Sequence, residues 1–267
     1  MNNKFDYSGL NTTVFDSVIK NCGWIVYENA LLPAFVDQIN DSLDAAYFIR
    51  RKIQIQNGIS ANMGGTLHHL VEKDNFSLRF LSQKYGNEVI RHYLGGNYIL
   101  NSLGAVINKQ NSGAYVQNIH RDVRTYSPDF NLMIQMMVLL DDFTAENGAT
   151  YFLSGSQRRE HKPEEAEFYA GAERLIARKG SIVLFNSNLW HAAGTNQTNR
   201  PRRALTMAFT RPFFKQQMDY ARMLGDDYAE NLNDDLKQII GYNSRVPVSL
   251  FEYYQPVEKR MYQPGQG

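Results

Sequence analysis

"GSIVLFNSNLWHAAGTNQTNRPRRALTMAF", Gly180 to Phe209, decides the fold. Ser181 to Phe185 is a short apolar run rich in β-branched residues, entered through the turn pair Lys179-Gly180. Polar Asn186 to Asn188 interrupts it, and the chain resumes at Leu189 to His191. A stretch of Gly, Thr, Asn and Pro follows, then a second apolar run from Arg202. Brief extended runs divided by turn residues, without 3.6-residue spacing, mark β-structure that pairs with itself.

The neighbouring sequence repeats the pattern. "YILNSLGAVINKQ" (98–110) is strand-like and is followed by the turn signal "NSGA" (111–114). "LMIQMMVLLDDF" (132–143) is apolar enough for a buried strand, and Asn147-Gly148 in "AENGATYFL" marks a tight turn between strands. "RLIARKG" (174–180) reads as one more strand. No Gly-rich phosphate loop follows any of these runs, so an all-β sandwich or barrel is expected rather than βαβ units. The β core spans about 97–214. It is preceded by a largely helical part to about 96, in which "TTVFDSVIKNCG" has Thr12 as helix cap and Gly23 as stop. "LPAFVDQINDSLDAAYFIRR" and "NFSLRFLSQKYGNEVIRHYLGG" supply further helices, and "NGISANMGGTLHHL" between them is a loop. Residues 215–267 are helical again and end in an irregular tail from Tyr253. With neither repeat nor linker, 1–267 reads as one domain.

Composition sets the outer limits. Among 267 residues, 43% are hydrophobic and 21% charged, and the formal net charge is +1. This is the profile of a soluble protein with a real core, and it offers no charge excess for nucleic acid or a membrane surface. Cys22 is the only cysteine, which excludes an internal disulfide and a multi-cysteine zinc site. Without an apolar leader or an 18-residue apolar window, a cytoplasmic location is expected. Oligomeric state is not legible.

Chemistry enters at "YVQNIHRDVRTYSPD" (115–129). His120 and Asp122 stand two apart, so on an extended chain both point to one face. Fe(II) in a facial triad needs two histidines and one carboxylate. Of the other histidines, His191 lies in the same β section and can return on a neighbouring strand. Arg202 opens the last strand, where a guanidinium can hold a carboxylate in a bidentate pair. Arg203 competes for that place, and strand alternation lets only one of the two face inward. "HRD" and "DDF" imitate kinase motifs, but Ser127 stands where the catalytic-loop Asn is needed and Thr144 where the Gly of DFG is needed.

"HRD", "LLDDFTAENGATYFLSGS" and "WHAAGTNQTNRPRRALTMAF" resemble the phytanoyl-CoA dioxygenase family of Fe(II)/2-oxoglutarate oxygenases, with the likeness running from about Gly23 to Asn243. The resemblance implies a double-stranded β-helix (jelly-roll) core with flanking helices. It places Fe(II) on His120, Asp122 and His191, and 2-oxoglutarate on Arg202. It also puts Asn108 and Tyr126 in the cosubstrate region, and Gln117 is a further candidate for cosubstrate or substrate contact. "SGSQ" (154–157) replaces the family's usual Pro-Gly-Ser-His, and Tyr126 stands where a tryptophan is more usual, so the substrate pocket departs from the family's form. A carboxylate at Asp122 disfavours halogenation, since halogenating relatives carry Ala or Gly there. The expected reaction is O2-dependent oxidation of a polar small molecule, coupled to decarboxylation of 2-oxoglutarate, with hydroxylation as the default outcome and desaturation, ring closure or epimerisation open to the same residues. The alternative is a jelly-roll that binds a metal or small ligand without turnover, which has no need of Arg202.

Arg124, Gln135, Asn101, Arg211 and the "MGGTLHH" loop are candidate substrate-lining groups. Adjacent His68 and His69 should diverge, leaving at most one facing the site. Packing is their ordinary role, and part of a flap (62–69) the functional one. His161 is expected to be exposed.

Overall fold

Alternation along the arginine-led run builds the middle of a seven-stranded sheet. The computed structural model describes residues 2–61, 63–111 and 113–266. In chain order the strands are β1 (Lys4–Asp6), β2 (Trp24–Glu28), β3 (Thr66–Leu67), β4 (Ile99–Asn108) and β5 (Met133–Leu139). They continue as β6 (Tyr151–Phe152), β7 (Glu173–Arg174), β8 (Ile182–Asn186), β9 (His191–Ala192) and β10 (Arg202–Thr210). The large sheet runs β1-β2-β8-β5-β10-β4-β3, and a smaller one runs β7-β6-β9. Every pairing is antiparallel except β1 with β2. Two sheets enclosing one space, with helices outside, make a mainly β, double-stranded β-helix fold, as expected.

The inner and outer faces of β10 differ in size as well as polarity. Arg202, Ala204, Thr206 and Ala208 face a cavity between the sheets. Leu205 and Phe209 pack into the core. Stacking of Trp24 on Phe152, with centroids 4.9 Å apart, ties the large sheet to the small one.

Helices cover the outside of the large sheet through apolar stripes. They are α1 (Thr12–Asn21), α2 (Pro33–Gln56), α3 (Phe76–Ser82) and α4 (Asn87–Leu94). Later come α5 (Glu165–Gly171), whose Phe168 packs beside the small sheet, α6 (Tyr220–Leu224), α7 (Asp234–Ile240) and α8 (Leu250–Tyr253), which buries none of its residues. Phe15 and Val18 of α1, Val36 and Ile39 of α2, Val89 and Ile90 of α4, and Ile239 and Ile240 of α7 join one core cluster.

Several local expectations need correction. Asn11, not Thr12, caps α1, its side chain accepting from the Val14 N–H at 2.9 Å. Asn outranks Thr as a cap, and here its side-chain oxygen meets the third helical N–H while Thr12 becomes the first helical residue. The tail from Tyr253 is not irregular throughout. The Gln263 N–H donates to the Asn243 carbonyl at 2.8 Å, and Gln266, buried, exchanges hydrogen bonds with Gln238. The "NSGA" turn and the 62–69 flap include Ser112 and Asn62, which lie outside the described residues.

Asn147-Gly148 does form a turn, but it leads from the large sheet to the small one. Asn147 Oδ1 accepts from the Thr144 N–H at 2.9 Å, and Gly148 takes φ 77°. A Cβ at Gly148 would run into the Gly194 carbonyl. Gly58 also has a positive φ (68°) but faces open space. Gly148→Ala should therefore lower the unfolding free energy in urea by about 2 kcal/mol or more, from strain plus overlap. Gly58→Ala should cost about 1 kcal/mol, from strain alone.

Candidate active site

His120 and Asp122 do not lie on a strand, so alternation is not what brings them together. His120 forms a single antiparallel bridge with His191, each N–H donating to the other's carbonyl at 3.0 and 2.9 Å. The Asp122 N–H then donates to the Ser187 carbonyl at 3.1 Å, bending the chain back over the turn that precedes β9. Asp122 Oδ1 lies 3.7 Å from His120 Nε2, and its Oδ2 lies 3.7 Å from His191 Nε2. One ligand atom from each of the three residues falls within 4.8 Å of the others.

Both imidazoles are oriented by the same local device. His120 Nδ1 is 2.7 Å from the Asn118 carbonyl, and His191 Nδ1 is 2.9 Å from the Leu189 carbonyl. A carbonyl only accepts, so each Nδ1 carries the proton and each Nε2 presents its lone pair to the common point. His191 is buried against Phe152 and Phe185. Burial, and then His120, push its pKa down to about 4, so it is neutral at pH 7. The donor set fits a divalent transition metal of intermediate softness.

Arg202 and Arg203 part as strand alternation requires. The Arg203 side chain turns away to Asp141, 3.4 Å distant. Arg202 is 3% exposed and lines a cavity of about 390 Å³ together with the three clustered residues. Its guanidinium lies 4.2 Å over the Phe143 ring, and its Nε has no hydrogen-bond partner. No ion pair reaches it among the described residues. Burial lowers its pKa to about 9, partly offset by Asp141, and leaves it cationic at neutral pH. A buried cation without a counter-charge is costly, and an incoming carboxylate would relieve it.

Other expected site residues fall elsewhere. Asn108 is opposite Arg202 in the sheet, but its amide donates to the Gly194 carbonyl at 2.9 Å and it does not line the cavity. The Tyr126 hydroxyl donates to the Arg158 carbonyl at 2.7 Å, outside the cavity wall. Gln117 is also outside, closing a local turn with the Ala114 N–H. Asn101 holds the Lys215 carbonyl, and Arg211 lies over Phe130. Arg124, at the mouth, and Gln135, on β5, do line the cavity.

His68 and His69 both line it, against the expectation that they diverge. His69 takes φ 56°, which turns the chain so that neither neighbour obeys strand alternation. Sequence reading also missed Asn196. Fully buried, it donates to the Asn108 and Arg200 carbonyls and accepts from Thr198, holding the loop between His191 and Arg202. "TNQT" contains the Asx-turn signal, but nothing local shows that it faces inward. Thr150, Thr206 and Tyr115 are further unforeseen lining groups.

A model of the phytanoyl-CoA dioxygenase (PhyH) family matches residues 19–204. An uncharacterised Mycobacterium tuberculosis protein is 31% identical over 96% of this chain and 97% of its own length. Dioxygenase olcK of Penicillium canescens is 25% identical over 86% of this chain and 82% of its own. Among solved structures, EctD from S. alaskensis with 2-oxoglutarate and 5-hydroxyectoine aligns with a TM-score of 0.57 at 16% identity, covering 75% of this chain and 76% of that one. HygX from Streptomyces hygroscopicus with nickel and 2-oxoglutarate aligns at 0.55 and 12%, covering 78% and 88%. These structural likenesses concern the fold.

The His191 shift carries a pH dependence. A folded pKa below the unfolded value of about 6.5 means that the unfolded chain binds the proton more readily as pH falls. Metal-stripped protein should therefore lose about 2 kcal/mol between pH 7 and pH 5 by urea titration. His191→Phe should flatten that part of the profile.

Proposed function

We propose a function from one fixed starting point: the chain belongs to the phytanoyl-CoA dioxygenase family. It is an Fe(II)- and 2-oxoglutarate-dependent oxygenase acting on an unactivated C–H bond of a polar small molecule, with hydroxylation as the outcome. The observation that carries this reading is the pairing, in one cavity, of a His-His-Asp cluster with a buried guanidinium that makes no ion pair among the described residues.

The residues fit both groups. His120, Asp122 and His191 would hold ferrous iron through Nε2, a carboxylate oxygen and Nε2. Arg202 would take the distal carboxylate of 2-oxoglutarate, with Phe143 stacked behind its guanidinium. The chemistry such a centre supplies is coupled decarboxylation of the keto acid with dioxygen and oxidation of a substrate C–H bond. The protein contributes orientation and dryness. Asn118 and Leu189 fix the imidazole tautomers, and Phe152 and Phe185 exclude water from His191. Asp122 fills the carboxylate position, which speaks against halogenation.

Volume and lining suit a drug-sized, partly polar substrate, such as a specialised metabolite, entering past Arg124. All three sections of the chain contribute to one core, which supports a single oxygenase domain over 1–267. No described helix is long and apolar enough to cross a membrane.

Anaerobic titration of metal-free protein with Fe(II) and then 2-oxoglutarate tests the assignment. A weak visible charge-transfer band should develop on adding the keto acid. His191→Ala should abolish it, and Arg202→Gln should raise the 2-oxoglutarate needed by about 10- to 100-fold, the worth of a charged hydrogen-bonded pair. Iron binding without any band in the wild type would overturn the cosubstrate assignment and leave a ligand-binding jelly-roll.

A further inference from the structure

The turn at His68-His69 forms a side of the cavity for which the iron and 2-oxoglutarate assignments have no use. Its geometry is held against a cost. His69 has φ 56°, a left-handed conformation that a non-glycine residue adopts only when its surroundings impose it. Arg50 of α2 imposes it, donating to the His68 carbonyl at 2.8 Å and the His69 carbonyl at 2.6 Å while pairing with Glu72 at 2.8 Å. Behind the turn, the Leu70 N–H donates to the Leu103 carbonyl at 2.9 Å.

The protons on His69 can be placed by elimination. The Tyr220 hydroxyl is fully buried and accepts from the Leu103 N–H at 3.1 Å. Its own proton needs an acceptor, and its other partner is His69 Nδ1 at 3.0 Å. Tyr220 therefore donates to Nδ1, and the imidazole proton sits on Nε2. Burial raises the Tyr220 pKa, so its proton stays in place. Burial, then His68 and Arg50, lower the His69 pKa, so the ring is neutral near pH 7. Nε2–H has no partner among the described residues, and His69 lines the cavity.

We infer that His69 Nε2–H, locked in one tautomer by Tyr220, is a substrate-orienting donor that selects molecules with a neutral carbonyl oxygen, a ketone or an ester. The inference deepens the oxygenase reading and rests on it for the word substrate. A single neutral donor does not repay the desolvation of a carboxylate, whereas a carbonyl oxygen costs far less to take out of water. Of the cations nearby, Arg50 is engaged by Glu72 and three carbonyls, Arg202 by its proposed cosubstrate, and Arg124 stands exposed at the mouth, so a carboxylate would gain little at His69 itself. Beside it, His68 Nε2 and the Tyr115 hydroxyl, 3.0 Å apart, extend the polar wall. Tyr115 lines the same cavity as His120, Asp122 and His191, so this wall reaches toward the His-His-Asp cluster. A carbonyl on His69 would thus fix which C–H bond of the substrate meets the metal site.

The test uses full-length protein with 2-oxoglutarate, and 2-tetralone and tetralin as probes alike in size but differing by one carbonyl oxygen. Nitrogen-15 spectra of the histidines should show His69 protonated on Nε2, and Tyr220→Phe should mix its tautomers. Wild type should bind the ketone about 10-fold more tightly than the hydrocarbon, the scale of one well-placed hydrogen bond. His69→Phe should reduce that preference to about 2-fold or less, and His69→Gln, which keeps a donor, should restore part of it. A wild type that does not prefer the ketone, a preference that survives in His69→Phe, or an Nδ1-protonated His69 would overturn the inference. The charge-transfer band with Fe(II) and 2-oxoglutarate, read on the same variants, should be unchanged. Its absence from wild type with the ketone preference intact would sink the oxygenase reading and leave the carbonyl site standing.

Discussion

Two backbone hydrogen bonds between His120 and His191 hold the site's frame. Each histidine's N–H and carbonyl are used up by the other, in the close-spaced antiparallel arrangement. From that pair everything nearby takes its direction. Each Nδ1 reaches back to the carbonyl two residues earlier, so the two rings are mirror solutions to one problem. Asp122 follows because its N–H is caught by Ser187, on the approach to the same bridge. Beyond His191, the chain loops through Asn196 and re-enters the large sheet at Arg202. One continuous segment thus carries a metal-ligand candidate, an anion-binding candidate and an inner strand of the large sheet.

Much of this was legible in the sequence, for physical reasons. Apolar runs cut by Lys-Gly and Asn-Gly announce strands because burial and turn geometry leave few alternatives. Arg202 and Arg203 could be read as facing opposite ways because β10 is regular, and Asp141 waits for the outward one. The failures fall where the backbone departs from regularity. His120 and Asp122 converge through a lone bridge and a bend, so the strand argument named the right residues for a reason the structure replaces. His69 sits in the left-handed region, and no local residue type signals it, since the cause, Arg50, arrives from α2. Asn108 and Tyr126 spend their polar groups on the Gly194 and Arg158 carbonyls, partners remote in sequence.

Electrostatically the cavity mixes polar and apolar walls with few fixed charges. Arg202 is its buried cation, Arg124 the cation at its mouth and Asp122 its carboxylate, with the neutral imidazoles of His191 and His69 among them. Such a box rewards ligands that bring their own complement. An anion satisfies the arginine and a cation satisfies the carboxylate, and each charge is worth more there than in water. The strain at His69 belongs to the same economy, since rigidity in the wall is what lets a single neutral donor discriminate.

The small side chains along the inner face of β10 have a consequence for how such a protein can diverge. Ala204 and Ala208 flank Thr206 there, and Gly104 lies across on β4, where a Cβ would meet the Leu67 carbonyl at 2.5 Å. Gly104 is therefore pinned by backbone, whereas the two alanines are limited only by the empty space they face. A lineage can enlarge either alanine, reshaping the chamber methyl by methyl, while the imidazoles, carboxylate and guanidinium stay untouched on their own frame. Substrate range and oxidising machinery can thus drift on separate clocks, which makes the fold a tolerant starting point for new specificities.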